Sequence, residues 1–294
     1  NQLFDANTEQ AARIEVIKGP ATALYGSNAM HGLINVLSAA PSDELEGNIA
    51  LEAGPYDYYR SNVRYGNTWG AHGLSVRANG STDGGYLDDA GYDQQKATVR
   101  YDYEGAQWNV SNVLDVANLN QETAGYVQGY KVYEKSSRKR DNPNPEAYRD
   151  ASSLRFHSAI SKALGSSNTL TITPYLRDNE MEFLQHFVPW QPVEKNKHSS
   201  LGLRTALNTD LQNSSWANGV ELEYTDGRLK EYQQQPFSPN QPAGIHYDYD
   251  VAASVAAAFS QWRANISSHW ELSAGLRLEY TYYDYDNRTG DGSA

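Results

Sequence analysis

From about residue 45 onward, apolar and polar residues alternate along short runs. Ile49, Leu51 and Ala53 stand against Asn48, Ala50 and Glu52. Leu74, Val76 and Ala78 stand against Ser75, Arg77 and Asn79, and Val99, Tyr101 and Tyr103 against Thr98, Arg100 and Asp102. The same period returns at Leu154, Phe156 and Ile160, at Leu170, Ile172 and Leu176, at Leu201, Leu203 and Leu207 around Arg204, and at Val220, Leu222 and Tyr224 around Glu221 and Glu223. It is longest at Leu272, Ala274, Leu276, Leu278 and Tyr280, opposed by Ser273, Gly275, Arg277, Glu279 and Thr281. A period of two belongs to strands whose faces meet different surroundings. The pattern predicts an all-β chain of about eleven strands.

Alternation alone fits a soluble sandwich as well as a barrel. The connections separate the two. Short turns are expected near Trp69 to Gly73, Glu104 to Ala106, Gly165 to Asn168, Leu211 to Ser214 and Asn265 to Ser268. Long ones are expected over Asn79 to Asp93, Val116 to Arg149, Asp178 to Lys197 and Thr225 to Tyr247. Short and long alternate, which places every long loop on one rim, as in outer-membrane barrels. Arg77, Arg100, Arg155, Arg204, Glu221, Glu223, Arg277 and Glu279 would then face a wet lumen rather than a dry core.

Composition supports this. Of 294 residues only 39% are hydrophobic, yet there are 22 Tyr and 6 Trp, too many aromatics for a disordered chain. No window reaches the 18 or so apolar residues of a membrane helix. The aromatics Tyr56, Tyr58, Tyr59, Trp69, Trp108, Trp216, Trp262, Trp270, Tyr282 and Tyr283 suit two interfacial girdles, or are ordinary strand residues. A net charge of -12 argues against nucleic acid as a partner. With no Cys, thiolate chemistry is excluded. No nucleophile-base set, Walker loop or metal motif supports an enzyme, and no cofactor is expected. The opening Asn1-Gln2-Leu3 has no leader pattern, and Asp291 to Ala294 follow a Tyr-rich run directly, so the chain reads as a fragment.

Residues 11–37 differ. Strand-like runs at Ile14 and Val16 and at Leu33 to Leu37 flank a turn at Gly19-Pro20 and a short helix from Pro20 to Tyr25, with Gly26 beyond its end. Arg13, Glu15, Val16, Lys18, Gly19, Pro20, Tyr25, Gly26, Ala29, Gly32, Asn35 and Val36 occur in the order and spacing of a known pattern. This stretch resembles the C-terminal end of the plug domain of TonB-dependent outer-membrane receptors, and the stretch Ala257 to Tyr283 resembles a hairpin of their barrels. His31 departs from the pattern, where Gly is usual.

The resemblance implies residues 1–40 as the end of an α+β plug and residues 41–294 as part of a transmembrane antiparallel barrel. The whole would be a barrel of about 22 strands, of which half are present. It implies a place in the Gram-negative outer membrane and active transport energised by TonB and its inner-membrane complex. The ligand it implies first is a ferric siderophore or other iron chelate. Cobalamin, a glycan or a peptide are alternatives in the same fold, and a passive porin or adhesin is the alternative outside it. It also implies that Arg13, Glu15 and Lys18 pair with wall charges such as Glu221 or Glu279, either as a releasable latch or as a static seat.

Two rim regions are ligand candidates. Lys135 to Arg140, including Arg138 and Arg140, has Tyr126, Tyr130, Tyr133 and Tyr148 around it, and could attract an anionic chelate or lipopolysaccharide phosphates; a solvated charge run is the plainer reading. Phe183, His186, Phe187 and Trp190 suggest a ligand-facing loop, and Tyr249 lies in Tyr247-Asp248-Tyr249-Asp250, which should meet Tyr282 to Asp286 across the last hairpin. Carboxylates there could hold a hard cation, against the plainer reading of solvated acids beside a girdle.

Overall fold

In the computed structural model of the chain, the described residues are 4–19, 21–26 and 29–289; Pro20 of the plug pattern lies outside them. A 3-10 turn at Thr8–Gln10 leads into a small unit of β1 (Arg13–Lys18), α1 (Thr22–Tyr25) and β2 (Gly32–Leu37). β1 and β2 pair antiparallel, Val16 opposite Ile34. There follow β3 (Glu46–Gly54), β4 (Tyr58–Trp69), β5 (His72–Asp83), β6 (Tyr92–Glu104), β7 (Asn109–Glu122) and β8 (Tyr148–Ala163). β9 (Asn168–Leu184), β10 (Val193–Leu211), β11 (Ser214–Gln233), β12 (Gly244–Ser267) and β13 (Trp270–Asn287) complete the chain. Among the described residues these eleven strands form one antiparallel sheet in sequence order, with β3 and β13 at its edges.

The ladder explains the alternation. Pro174, Leu203, Leu222, Ala256 and Tyr280 lie in one row across β9 to β13, while the row beside it carries Thr173, Arg204, Glu221, Ala257 and Glu279. The second face meets residues 4–40 and is the inner one; the first carries exposed Leu201, Leu222, Leu276 and Leu278, at 66%, 54%, 63% and 67% exposure. So much exposed apolar surface in continuous rows needs an apolar phase outside it. Short turns at 70–71, 105–108, 164–167, 212–213 and 268–269 form one rim, and 55–57, 84–91, 123–147, 185–192 and 234–243 form the other. Trp69, Trp216, Trp262 and Trp270 collect at the short-turn rim, Trp216 and Trp262 with ring centroids 6.2 Å apart.

Two expectations need correction. Tyr58 and Tyr283 are not girdle residues: each is one position out of phase with outward Tyr59 and Tyr282, so the pleat turns it inward. The long connections are also shorter than expected, because strands run well past the ten or so residues that cross a bilayer. Above the apolar rows the outward face turns ionic, in the row Glu180, Lys197, Arg228, Asp250 and Asp286. There Lys195 reaches Glu180 at 2.7 Å and Arg228 reaches Asp248 at 3.1 Å. Cross-strand pairs of this kind carry the ladder into water, where apolar alternation no longer marks a strand.

Leu222→Arg, in the middle of the apolar rows, is expected to cost about 2–4 kcal/mol of folding stability in lipid vesicles, as charges do on the lipid face of a barrel. Urea titration of vesicle-inserted full-length protein checks it, with outward Lys230→Arg, above the apolar rows, as the comparison expected to be near neutral.

Candidate functional site

The inner face holds the N-terminal segment by polar contacts. Asp5 pairs with Arg155 of β8, and the Ala6 carbonyl accepts from Lys96 Nζ of β6 at 3.1 Å. Asn7 donates to Thr98 at 3.4 Å. Glu9 meets Arg60 at 2.9 Å and Asn79 at 3.3 Å, and Gln10 donates to the Ala78 carbonyl at 2.7 Å. Further along, Arg100 donates to the Ser38 carbonyl at 3.0 Å while Asp102 grips its Nε with both carboxylate oxygens. Asp5, Asn7 and Gln10 are buried among polar partners and the apolar Val36, Leu37 and Val113. A cavity of about 100 Å³ lies in this seat, lined by Asp5, Thr98, Asp115, Arg155 and His157 among others, large and polar enough for a few waters. Asp5, Asn7, Glu9 and Gln10 drew no notice in the sequence, since a polar run without periodicity looks like any loop; the guanidinium and ammonium groups opposite them become neighbours only in the fold.

The charges of the plug pattern have near neighbours of their own. Arg13 pairs with Glu15 at 2.6 Å on an exposed strand, and Glu15 accepts from Asn35 at 3.2 Å. Lys18 falls on the opposite side of β1 from Arg13 and Glu15, because five residues of a period-two strand reverse the face. Glu221 and Glu279 instead hold Arg277 of β13, at 3.1 and 2.7 Å. Among the described residues, Arg13 and Glu15 thus pair inside the small N-terminal unit, and Glu221 and Glu279 both hold a guanidinium of the wall. Gly19, Gly26 and Gly32 all have positive φ, and Tyr25 ends α1, which packs on β12 and β13. There Gly275 permits close approach: a Cβ on it would sit 2.6 Å from that of Ala23.

The long-loop rim gathers some ligand candidates and separates others. A cleft of about 1020 Å³ is lined by Tyr126, Arg138, Asp141, His186 and Phe187, with Asp88 and Asp89 from the loop after β5. Arg140 stands beside it, 3.3 Å from Asp88 and over the Tyr56 ring at 5.4 Å. Tyr130 is 85% exposed and Trp190 turns to Phe237, with centroids 6.3 Å apart. Phe183 lies inside β9, in register with Arg149 and Glu194. Tyr249 is elsewhere, on the inner face, with its ring centroid 5.2 Å from that of Tyr285. Asp248 and Asp250, weighed as cation ligands, pair with Arg228 and Arg288, and no metal-binding group of acids or histidines occurs among the described residues.

The loop at 123–147 is tied to the loop at 185–192 through Glu146, which accepts from Gln191 at 2.6 Å and Asn144 at 3.5 Å. Its own backbone N–H first, then those amides, hold its carboxyl below the ordinary value.

Comparison with known proteins follows from this geometry. A family model described as "TonB dependent receptor-like, beta-barrel" matches residues 39–294, and one described as "TonB-dependent Receptor Plug Domain" matches residues 1–33. The ferripyoverdine receptor of Pseudomonas aeruginosa is 22% identical over 286 residues, 95% of this chain and 32% of its own length. The vitamin B12 transporter BtuB of Vibrio vulnificus is 35% identical over 95 residues, 31% of this chain and 15% of its own. Among solved structures, the ferric-catecholate import receptor Fiu from E. coli K12 superposes with a TM-score of 0.75 at 14% identity, covering 97% of this chain and 51% of that one. The chain thus spans about a third of the ferripyoverdine receptor's length.

Two outcomes are expected. Arg155→Ala combined with Lys96→Met strands the buried Asp5 carboxylate and removes the Ala6 contact. Each charged contact contributes on the order of 1.5–3 kcal/mol, so in the full-length protein the segment before β1 becomes markedly more sensitive to limited proteolysis while the barrel stays intact. For Glu146, a depressed folded-state pKa means that its stabilisation is complete above the unfolded carboxylate value and is lost as pH falls through the lower folded one. Hydrogen exchange in the loop at 123–147 should therefore stay slow at neutral pH and rise only below the ordinary carboxylate range, a rise absent in Glu146→Gln.

Proposed function

The chain belongs to the TonB-dependent receptor family, whose barrels lie in the outer membrane, and from that premise we propose that it serves active uptake of an iron chelate across the Gram-negative outer membrane. Residues 1–40 are the plug part of this reading and residues 41–294 the wall. The observation that carries it is the polar seat of the N-terminal segment on the inner face: Asp5, Asn7, Glu9 and Gln10 meet Arg155, Thr98, Arg60 and the Ala78 carbonyl directly, beside a small cavity. A passive pore has no use for a blocked lumen. A stopper seated by hydrogen bonds and ion pairs rather than by an apolar core can be displaced without exposing greasy surface to water.

Capture falls to the rim, where Tyr126, Arg138 and His186 share one cleft and Arg140 stands beside it. Arg138 is paired with Asp141 and Arg140 with Asp88, each at 3.3 Å, so an anionic chelate with planar groups would exchange for these aspartates beside the aromatic rings. The iron reading is also supported by relatives named for ferripyoverdine and ferric catecholate. Cobalamin is the second reading, favoured by the vitamin B12 transporter among the relatives. TonB and its inner-membrane complex are the energising partners in either case, with lipopolysaccharide and lipid around the wall.

Uptake of radioactive iron as a panel of ferric chelates should test this in the native host. Deletion of the receptor and treatment with an uncoupler should each abolish uptake of at least one chelate, and Arg138→Ala with Arg140→Ala should weaken capture of that chelate. Unchanged uptake of every chelate, with loss of cobalamin uptake, would move the assignment to the second reading.

A further inference from the structure

Beyond the rim cleft, the inner face has a second opening of about 500 Å³, walled by Glu194 of β10, Leu229 and Glu231 of β11, Tyr247 and Tyr249 of β12 and Tyr285 of β13. These six come from four neighbouring strands and share the inward side of the pleat: Glu231 stands in register with Tyr247, and Val251, two residues from Tyr249, with Tyr285. A bulge assists them. Between Glu231 and Tyr232 the pairing skips His246, so that His246 folds back to contact Glu231 at 3.2 Å and the Pro242 carbonyl at 2.8 Å.

The charges of this opening are unlike those below it. Deeper on the inner face, Glu9, Glu52, Asp102, Glu221, Glu223 and Glu279 each face a guanidinium. Glu194 and Glu231 do not. Among the described residues their side-chain partners are amides and an imidazole: Gln185 bridges the two at 2.9 and 3.2 Å, Asn196 donates to Glu194 at 3.0 Å, and His246 contacts Glu231. Gln185 thus holds the two carboxylates side by side with no guanidinium or ammonium beside them among the described residues, the His246 imidazole touching only Glu231 of the two, and three tyrosine rings complete the wall. Two fixed anions beside aromatic faces form a receptor for a soft organic cation, which gains both ion pairing and the ring quadrupole.

We infer that this opening binds an ammonium or guanidinium group of the transported ligand, so that the ligand carries an organic cation as well as whatever part the rim cleft holds. The inference rests on reading the chain as a ligand-capturing receptor and adds the chemical class of one part of the ligand.

The test is equilibrium binding to the purified full-length receptor in detergent, with agmatine as the cationic probe and pentanediol and glutarate as neutral and anionic counterparts. Agmatine should bind and the other two should not. Glu194→Gln with Glu231→Gln should weaken agmatine by about tenfold or more, Tyr249→Leu should weaken it severalfold, and Tyr249→Phe should restore it, since the ring is what it needs. Asp284→Asn with Asp286→Asn, on the outward face, should leave binding unchanged and so exclude general attraction to an acidic protein. Heat-modified mobility in gels reports that each variant is folded. Equal binding of pentanediol, an effect of the outward pair as large as that of the inner pair, or displacement of agmatine by calcium with Tyr249→Leu silent would overturn the inference. Because no TonB or energy is involved, loss of agmatine binding with chelate uptake intact would defeat the cation site alone, and the reverse result would defeat the iron reading alone.

Discussion

Everything in this structure depends on one antiparallel hydrogen-bond ladder running through eleven strands, because its pleat assigns each side chain to one of two solvents. A slip of one residue between β10 and β11 would send Glu221 and Glu223 to the lipid side and Leu222 to the plug. Neither placement is tolerable, so the penalty for error is spread along every strand. The low hydrophobic content follows directly. Apolar residues are needed on one side of a thin wall, while the other side is a polar lumen rather than a core.

That logic also explains what could be read from the sequence. The strands, their outward residues and the alternation of short and long connections are properties of neighbours along the chain, and alternation at Leu272 to Tyr280 or Val220 to Tyr224 reports them faithfully. The plug pattern was legible through its glycines and Asn35. Two kinds of feature were not. Where the strands rise above the apolar rows, the outward face changes from leucine to pairs such as Lys195 with Glu180, and period two no longer appears as a change in polarity. Partnerships across the lumen were hidden as well: nothing near Asp5 announces Arg155, and nothing near Glu221 announces that Arg277 of the same wall satisfies it.

The two groups of ion pairs have different consequences. Arg277 is held between Glu221 and Glu279 with its side chain only 8% exposed. Such a cluster stiffens β11 to β13 beneath α1, since removing one member leaves a charge stranded in a tight site. The contacts at residues 4–10 differ in setting rather than in burial: Asp5, Asn7 and Gln10 are as buried as Arg277, but they lie beside a cavity able to admit water. Water entering there can take over a hydrogen bond as its partner leaves, which lowers the cost of separation. The wall is therefore rigid where the helix leans on it and exchangeable where the N-terminal segment lies against it, which is the division of labour a movable stopper requires.

The rim cleft and the opening below it also differ in how their charges are paired. Arg138 and Arg140 stand at the cleft paired with Asp141 and Asp88, whereas Glu194 and Glu231 face the lumen a level below, accompanied by tyrosines and bridged by Gln185. A purely anionic solute would have to displace aspartates in the first region and would be repelled by the second. A neutral one would be held by neither. A solute carrying separated anionic and cationic groups can satisfy both at once, and its orientation is then fixed by charge before any contact with the plug is made. A region of exchangeable ion pairs above a pair of carboxylates without guanidinium partners favours one pose, so discrimination need not reside in the plug alone. The seat at residues 4–10 is left free to be the same for every ligand, which is consistent with its being built from groups that recognise only the wall.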